Sequence, residues 1–490
     1  MAKGFGLKLL ASCLLLALAG SLLAGCGEEP VRLTLTVLGD VDNPLTIRGL
    51  QDVPETVKLK HKDKTVAAAP LAPVIEQAQP YGQRLEILFI AADGFSALID
   101  NDNLEQCYLA LSRENGWEAI NLHHPVSSNI KNIVEIVIIA QDLPVDQAFT
   151  IIQPGKDIAR LSAGALYKQG YSISASLRGS SAVEHEGKEL TATTFYRHRT
   201  VDLEDYVSLE GRTAAVVGAD GRVEPLRQDG RFILDKNCLG YMAGDELVIP
   251  RAKGLVLDPP AKRITDVYAD SLQALEEGVP ILVILLDGFG LHQYQYASSR
   301  GYTPFLDTLP EPAVSMSAYP SITPVNVASS LSGELPHVTG VHDRRTRRLE
   351  VPTIFAQAGA GKVMTAVIGP LNTVELEVEP VFNVDRNNDG STDDEKTQYA
   401  LSVIGQSHDL LFVHYKDIDA TGHDWGDLHQ NTLDAIGQAD EYVRQLVENW
   451  RGRVLIYADH GMYETETGGD HGNLVAKSMF TPYWLFDTGN

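Results

Sequence analysis

ILVILLDGFG (281–290) is a continuous apolar run that ends abruptly in polar residues. RVLIYADHG (453–461) and DLLFVHYKDIDATGH (409–423) have the same outline. Short apolar runs of this kind are typical of parallel strands covered on both faces, and ligands gather at the carboxyl ends of such strands. The polar residues at these three ends are Asp287, Asp459, His460, Asp419 and His423. We therefore predict a sheet edge with three carboxylates and two imidazoles, a set typical of a metal site.

The region around these runs alternates predicted strands with predicted helices. This order predicts an α/β fold with a doubly wound sheet over residues 279–490. A Pro- and Lys-containing connector and a helix, together residues 256–278, are predicted to precede it.

The stretch AVSMSAYPSITPVNVASSLSG (313–333) is predicted to form a strand, a turn and a helix. Pro324 suits the first helical position and Gly333 suits the helix end. Thr323 then falls at the helix N-terminus, which favours an anion, and a hydroxyl beside a metal there can attack phosphorus. Asn326, one turn on, is predicted to donate to a phosphoryl oxygen. Taken alone, Thr323 is more consistent with a simple N-cap.

The remaining candidate ligand is His471, which lies in the glycine turn Gly469-Asp470-His471-Gly472. A set of carboxylates and imidazoles suits zinc best, with manganese as the alternative. We therefore expect a divalent metal site and a hydrolytic function.

The motifs together resemble the alkaline phosphatase superfamily, in particular its type I phosphodiesterases, the nucleotide pyrophosphatase/phosphodiesterases. They are Leu286-Asp287-Gly288, Tyr319-Pro320-Ser321-Ile322-Thr323-Pro324-Val325-Asn326, Asp419-Ala420-Thr421-Gly422-His423, Asp459-His460-Gly461 and Asp470-His471-Gly472. The resemblance implies one ion held by Asp419, His423 and His471. It implies a second held by Asp287, Asp459, His460 and the oxygen of Thr323. It also implies a covalent phospho-threonine on Thr323, with Asn326 against the phosphate.

The chain departs from the pattern of these phosphodiesterases after the nucleophile. Their Phe-Pro-Asn is here Pro324-Val325-Asn326, so the proline has moved by one position. The sulfatase pattern, a Cys or Ser followed by x-Pro-x-Arg, is absent at this position, which argues against sulfate esters.

The resulting hypothesis is a phosphoesterase that hydrolyses phosphodiester or pyrophosphate bonds in a small phosphorylated substrate or a cell-envelope phosphodiester. A phosphomonoesterase or phosphotransferase on the same site is the alternative within this class. A non-catalytic cell-surface binding protein is the alternative of another class, against which the intact ligand set argues. The sequence leaves the oligomeric state open.

Residues 1–25 have the form of a signal peptide, with Lys3 and Lys8 before an apolar core. The core ends in Leu22-Leu23-Ala24-Gly25-Cys26, which resembles the lipobox of bacterial lipoproteins and implies a lipidated Cys26. We therefore expect an extracytoplasmic protein anchored by lipid to a bacterial membrane, with an ordinary signal peptide or a membrane span as alternatives. Cys107 and Cys238 are predicted to be buried thiols rather than a disulfide. The net charge of −25 argues against binding to nucleic-acid duplexes.

Residues 26–145 and 146–255 are predicted to form two smaller β-rich modules. EILFIAADGFSALI (86–99) and TAAVVGADGRVEPL (213–226) each read as strand, Ala-Asp-Gly turn and strand, which indicates an internal duplication unless the match arises by chance. The first module weakly resembles the fold of the sulfite oxidase family. Its stretch Ser112-Arg113-Glu114-Asn115-Gly116-Trp117 lacks the molybdenum-binding cysteine, which argues against that cofactor.

DRNNDGSTDDE (385–395) resembles a calcium loop, with Asp385, Asn387, Asp389 and Asp393 at four ligand positions. Lys396 replaces the usual final glutamate, so a solvated acidic turn is the alternative to a bound calcium ion.

Three further features near the predicted site are less specific. The four arginines of HDRRTRRLE (342–350) are consistent with a phosphate clamp or with a solvated face. His414 is interpreted as a core histidine, and Asp417 is predicted to support the neighbouring ligands.

Overall fold

The computed structural model of the protein describes residues 33–61, 63–368 and 373–489. The predicted signal peptide and Cys26 lie outside these residues. In the described part, no helix is long and apolar enough to cross a membrane. The chain divides between Leu143 and Pro144 into two compact units.

The amino-terminal unit is built on a nine-stranded sheet. Its strands are β1 Leu35–Gly39, β2 Leu45–Ile47, β3 Val57–His61, β4 Lys64–Pro70, β5 Leu85–Ala91, β6 Ser96–Asp100, β7 Cys107–Ser112, β8 Gly116–Asn121 and β9 Ile133–Ala140. They lie in the order β2-β1-β9-β8-β7-β4-β3, and the β5–β6 hairpin pairs with β9 through β5. Helix α1 (Leu71–Ala78) buries Leu71, Val74 and Ile75 against the same core.

The second unit begins with another nine-stranded sheet. Its strands are β10 Phe149–Gln153, β11 Lys156–Leu161, β12 Ser172–His185, β13 Lys188–Val201, β14 Ala214–Gly218, β15 Val223–Pro225, β16 Gly230–Asp235, β17 Cys238–Ala243 and β18 Glu246–Leu257. Their order, β11-β10-β18-β17-β16-β13-β12 with the β14–β15 hairpin on β18, repeats the first sheet strand for strand. In each sheet the strand that comes first in the chain pairs in parallel with the strand that comes last, β1 with β9 and β10 with β18. This shared topology supports the interpretation of an internal duplication.

The carboxyl-terminal sheet has eight strands and is mixed. Its strands are β19 Lys262–Arg263, β20 Ile281–Leu286, β21 Ala313–Met316, β22 Met364–Ile368, β23 Val381–Phe382, β24 Leu410–Tyr415, β25 Gly452–Tyr457 and β28 Phe480–Thr488; β26 Tyr463–Thr465 and β27 Gly468–Asp470 form a separate hairpin. The order is β19-β21-β28-β25-β20-β24-β22-β23. The predicted strands β24, β20 and β25 are parallel neighbours, as expected, whereas β28 runs antiparallel to β25 and β21.

Helices cover both faces of this sheet, which confirms the predicted doubly wound α/β class. Alternate residues of β20 enter two different cores, Ile281, Val283 and Leu285 on one face and the even-numbered residues on the other. Besides α1, the helices of the described part are α2 Ala163–Gln169, α3 Asp266–Glu277, α4 Leu291–Ser299, α5 Thr323–Ser332, α6 Pro336–Thr339, α7 Asp393–Ile404, α8 Asp417–Trp425, α9 Gln430–Asn449 and α10 Ala476–Met479. Short 3₁₀ helices span Leu50–Asp52, Leu104–Gln106, Val126–Ser128, Val145–Gln147, Leu203–Asp205, Leu306–Thr308 and Ile354–Ala360. Helices α3 and α5 pack on the first face, and α7 and α9 on the second.

The second β sheet shares a core with the carboxyl-terminal sheet inside one compact unit. Ile152, Val217 and Val256 pack with Met316 and Phe480. Burial on both sides explains why residues 144–490 form a single unit. Cys107 and Cys238 are both free, as predicted, but only Cys107 is buried, and Cys238 is partly exposed.

Candidate metal centre

The centre lies at the carboxyl ends of β20 and β25, where two aspartates follow parallel neighbouring strands. Asp287 comes directly after β20, and Asp459 comes two residues after β25. One carboxylate oxygen of Asp459 accepts hydrogen bonds from the backbone N–H of Gly288 (3.2 Å) and of His460 (3.0 Å). Its other oxygen, Oδ2, is buried and accepts no hydrogen bond. Asp459 is therefore fixed by one oxygen and presents the other to the centre.

Asp419 and His423 lie on helix α8, which begins two residues after β24 ends, and not at the strand end itself. Their spacing of four residues places them on one helical face, and His423 Nε2 lies 3.5 Å from Asp419 Oδ1. Gly288 makes room for this helix: its φ is +75°, and a Cβ there would lie 2.9 Å from the Cα of Asp419. Only glycine tolerates both that conformation and that approach.

All the predicted ligands come together in two groups. The first comprises Asp419, His423 and His471, whose ligand atoms are separated by 3.5 Å from Asp419 Oδ1 to either Nε2 and by 3.1 Å between the two Nε2 atoms. In the second group, single ligand atoms of Asp287, Asp459 and His460 all lie within 4.8 Å of one another.

The two groups adjoin each other at His460. One ligand atom of His460 also lies within 4.8 Å of ligand atoms of Asp419 and His471. The rings of His460 and His471 are stacked, with centroids 3.7 Å apart.

Each imidazole is oriented by a backbone carbonyl. His423 Nδ1 lies 3.0 Å from the Gly469 oxygen, His471 Nδ1 2.8 Å from the Ser321 oxygen and His460 Nδ1 3.2 Å from the Gly461 oxygen. A carbonyl oxygen only accepts, so the proton of each neutral ring belongs on Nδ1. The Nε2 lone pairs then face the centre, as in histidines that bind metals.

The carboxylates of the centre are buried close together, an arrangement that a cation would stabilise. Burial, followed by repulsion from Asp287, raises the pKa of both Asp459 and Asp419 well above the usual value. Burial lowers the pKa of His460 to about 4 and that of His471 to about 2, so both rings are neutral at pH 7.

Two carboxylate oxygens of the centre also indicate a bound cation. Asp419 Oδ1, like Asp459 Oδ2, is buried without a hydrogen-bond partner. Buried acceptor oxygens that lack a hydrogen-bond donor, beside neutral imidazoles, fit divalent metal ions.

Thr323 is the first residue of α5, as predicted, and its hydroxyl faces this centre. It donates to Asp287 Oδ1 (3.3 Å) and lies 3.1 Å from His460 Nε2. The N-cap residue is Ile322, and Gly333 ends the helix with a φ of +78°. Thr323 is thus a member of the centre and does not act as an N-cap.

Asn326 does not have the role predicted for it. Its side chain is fully buried, and Oδ1 accepts a hydrogen bond from the Ala318 N–H (2.7 Å). Its Nδ2 group donates to the carbonyl oxygens of Ala318, Pro320 and Ile322 at 3.2–3.4 Å. The amide is committed to the turn that precedes Thr323, so it is not available to donate to a phosphoryl oxygen.

His414 contacts a ligand, which the sequence did not indicate. It is buried, as predicted, but its Nε2 lies 2.8 Å from Asp287 Oδ2. Although burial opposes ionisation of Asp287, the hydrogen bond and charge of His414 keep the pKa of that carboxyl below its usual value. The register between β24 and β20, which pairs His414 with Leu285, is the signal that identifies this contact, and it is not visible in one strand alone.

One of the four arginines of 342–350 reaches the centre. Arg344 Nη2 lies 3.2 Å from His471 Nε2. Arg347 donates instead to the Thr373 carbonyl (2.6 Å). The arginine run is therefore neither wholly a clamp nor wholly a solvated face.

The predicted calcium loop does not gather its four side chains. Asp385 accepts hydrogen bonds from the N–H groups of Asn388 and Gly390, and the side chains of Asn387 and Asp389 bond to each other. Asp393 is buried and pairs with Lys396 at 2.6 Å. Among the described residues, groups of three acidic or imidazole ligands occur only at the centre above, so the calcium expectation is not supported.

The chain resembles known proteins in its carboxyl-terminal part. Residues 279–475 match the model of a family described as the Metalloenzyme superfamily. GPI ethanolamine phosphate transferase 3 of Schizosaccharomyces pombe is 25% identical over 111 residues, which are 22% of this chain and 12% of that protein. The chain thus spans about an eighth of the length of this curated relative.

Two solved structures are also similar. Murine ectonucleotide pyrophosphatase/phosphodiesterase 5, as an inactive variant in complex with AMP, is 16% identical with a TM-score of 0.33, over 38% of this chain and 58% of that one. Phosphonoacetate hydrolase from Sinorhizobium meliloti 1021, in complex with phosphonoformate, is 17% identical with a TM-score of 0.31, over 38% and 56%.

The family match includes every residue of the two ligand groups and Thr323. The fold, the position of the centre and the family model therefore agree on one assignment. Residues 279–475 match the Metalloenzyme superfamily, which confirms the resemblance of the motifs to the alkaline phosphatase superfamily.

Proposed function

We propose that this protein is a metal-dependent phosphoesterase that cleaves phosphodiester or pyrophosphate bonds through a phospho-threonine on Thr323. The hydroxyl of Thr323, held at a helix N-terminus between Asp287 and His460, is the observation that carries the proposal. In that position the free N–H groups of the helix favour an anion on one side of the hydroxyl, and the hydrogen-bond acceptors Asp287 and His460 lie on its other side.

The metals of this proposal are two zinc ions. Asp419, His423 and His471 would hold one; Asp287, Asp459, His460 and the Thr323 oxygen would hold the other. When bound, such ions polarise phosphoryl oxygens and lower the pKa of a hydroxyl beside them. Oxygen and nitrogen donors of this kind fit zinc, and the match to a metalloenzyme superfamily supports divalent ions in general.

The protein's own residues then carry out the two displacements. The Thr323 hydroxyl releases its proton to solvent, and its oxygen forms a bond to phosphorus as the bond to the leaving oxygen breaks. The leaving oxygen takes a proton from solvent. Water then attacks the phospho-threonine, which releases phosphate or a phosphate monoester and restores the hydroxyl.

Charge at the transferred group is balanced by two features in this proposal. The N-terminus of α5 favours the developing negative charge on the phosphoryl oxygens. The Arg344 guanidinium beside His471 is the donor that we assign to a phosphoryl oxygen, in place of Asn326.

Substitution of Thr323 tests the proposal. We expect Thr323→Ala to lower kcat for an aryl phosphodiester about 10³-fold or more, because the nucleophile is lost, while Thr323→Ser retains part of the activity. The measurement is steady-state hydrolysis of a diester and the matching monoester with added zinc.

Thr481→Ala is the matched control, since Thr481 is a fully buried threonine on β28. It should keep its kcat within a few-fold. A wild-type protein that hydrolyses neither ester and binds no zinc would overturn the proposal.

Phosphoryl transfer to an alcohol is the second candidate, favoured by the curated relative that is named a phosphate transferase. The same phospho-threonine would react with an acceptor hydroxyl in place of water. With the aryl phosphodiester as substrate, added glycerol distinguishes the two. Hydrolysis alone gives the phosphate monoester and no glycerol phosphodiester, whereas a glycerol phosphodiester formed in excess of the alcohol-to-water ratio supports transfer.

The proposed location is the extracytoplasmic side of a bacterial membrane, through a lipid on Cys26. This proposal rests on the sequence of residues 1–26. We expect Cys26→Ser to move the protein from the membrane fraction to the soluble fraction and to abolish labelling by radioactive palmitate. An unlabelled wild-type protein would contradict it.

A further inference from the structure

The helix that carries Asp419 and His423 has no capping side chain of its own. The N-cap residue of α8 is Lys416, and no side chain of the helix bonds to its first N–H groups. Those groups need an acceptor because they have no partner within the helix.

The acceptor comes from α7. Asp393 Oδ2 accepts hydrogen bonds from the backbone N–H of Lys416 (2.9 Å) and of Asp417 (3.0 Å). A carboxylate at a helix N-terminus also interacts favourably with the helix dipole. Asp393 therefore caps α8 from another helix. The cap acts on the backbone of Asp417, which lies two residues before Asp419.

A buried lysine holds the second oxygen of Asp393. Lys396 is fully buried, and its Nζ donates to Asp393 Oδ1 at 2.6 Å. Both charges lie out of solvent, an arrangement that is costly unless each is paired and hydrogen-bonded. The Asp393 carboxylate thus contacts Lys396 through one oxygen and the start of α8 through the other.

The surrounding contacts tie the same two segments together. Ser391 Oγ donates to Asp417 Oδ2 at 2.5 Å. Thr397 Oγ1, on α7, lies 2.7 Å from the hydroxyl of Tyr415, the last residue of β24. On its other side α8 packs against Gly288. The first turn of α8 therefore lies between two contacts, one with Asp393 and one with Gly288.

We propose that Asp393, paired with Lys396, is a positioning residue that sets the Asp419–His423 pair of the metal centre. It acts through the backbone of α8 and touches no ligand side chain in the described contacts. The proposal gives a role to the acidic segment 385–395 that does not involve calcium. It rests on the proposed zinc centre.

The test is the zinc affinity of the full-length protein carrying Asp393→Ala together with Lys396→Met, which removes the cap without leaving a lone buried charge. We expect zinc to bind in two steps in the wild type, measured by competition with a chromophoric chelator. In the variant, one step should weaken by about tenfold or more and the other should change little.

Asp440→Asn is the matched control. Asp440 is also buried, and it accepts hydrogen bonds from two consecutive N–H groups, those of Phe305 and Leu306, in a segment without ligands. It should lower thermal stability as the test variant does and leave both zinc affinities within twofold of wild type. If the double variant does not fold, Asp393→Glu takes its place, because the longer side chain keeps the charge but displaces the acceptor oxygens.

The outcomes separate this inference from the proposed function. Two unweakened zinc steps in a folded variant would overturn the positioning role and leave the zinc centre intact. Equal weakening of both steps in the variant and in Asp440→Asn would reduce the effect to general stability and also overturn it. A wild type without tight zinc binding would overturn the centre itself.

Discussion

At the scale of single residues, the centre is defined by atoms that lack ordinary partners. Asp459 Oδ2 and Asp419 Oδ1 are buried acceptors without donors, and three imidazoles point lone pairs at the same space. Hydrogen bonding to backbone fixes the opposite side of each group. Because the side chains are already oriented, little rearrangement is needed to bind ions, and affinity is gained by this preorganisation.

Arg344 gives a prediction at this scale. We expect Arg344→Met to raise KM or lower kcat for a charged phosphodiester by about 10-fold to 10²-fold, because a charge-assisted hydrogen bond to the phosphoryl group is lost. Arg345→Met is the control, since Arg345 is the exposed neighbour whose backbone N–H bonds to Asp343. Equal kinetics in the two variants would remove Arg344 from the site.

At the scale of elements, strand ends and helix starts are joined by a few tight contacts. The turn before α5 is held by the amide of Asn326, and the start of α8 is held by Asp393. The catalytic hydroxyl and two ligands therefore depend on elements whose ends are fixed by side chains from elsewhere. Loops with unbonded backbone would not hold them to the required geometry.

Gly288 provides a prediction for the contact between β20 and α8. Gly288→Ala should destabilise the protein by more than the roughly 1–2 kcal/mol of a positive φ, because its Cβ also collides with Asp419. Zinc affinity should fall with it. Gly155→Ala is the control, with a φ of +79° and nothing within 4 Å of the added Cβ. Chemical denaturation and zinc titration measure both effects, and equal results for the two variants would argue against the contact.

At the scale of the whole molecule, the chain consists of two compact units, and the centre lies in the one formed by residues 144–490. Two sheets with the same strand order accompany the α/β sheet. The second shares a core with the metalloenzyme domain, so its burial contributes to the stability of the unit that holds the centre.

Metal removal gives a prediction at this scale. With free zinc about 1,000 times above each Kd, each of the two proposed ions stabilises the folded unit by ~4 kcal/mol, which corresponds to about 5 °C in Tm per ion for a unit of this size. A chelator should lower the calorimetric transition of residues 144–490 by that amount for each ion removed, and zinc should restore it. The transition of the amino-terminal unit should not move. A shift confined to the amino-terminal transition would contradict the location of the centre.

The sequence by itself determined the chemistry at the strand ends. The apolar runs predicted β20, β24 and β25, and the acids and histidines that follow them lie together as expected. Pro324 and Gly333 predicted where α5 begins and ends, which placed Thr323. These predictions succeeded because strand burial, proline and glycine act locally, within a few residues of the chain.

The tertiary structure decided which partners those residues meet. His414 and Asp287, like Arg344 and His471, are 127 residues apart, and no local pattern reports their contact. The amide of Asn326 and the carboxylate of Asp393 were each assigned to a ligand from sequence, yet both are bound to backbone groups. A polar side chain bonds to whichever unpaired group the packed fold brings within reach. When both groups are buried, this pairing is retained, because an unpaired buried polar group costs free energy.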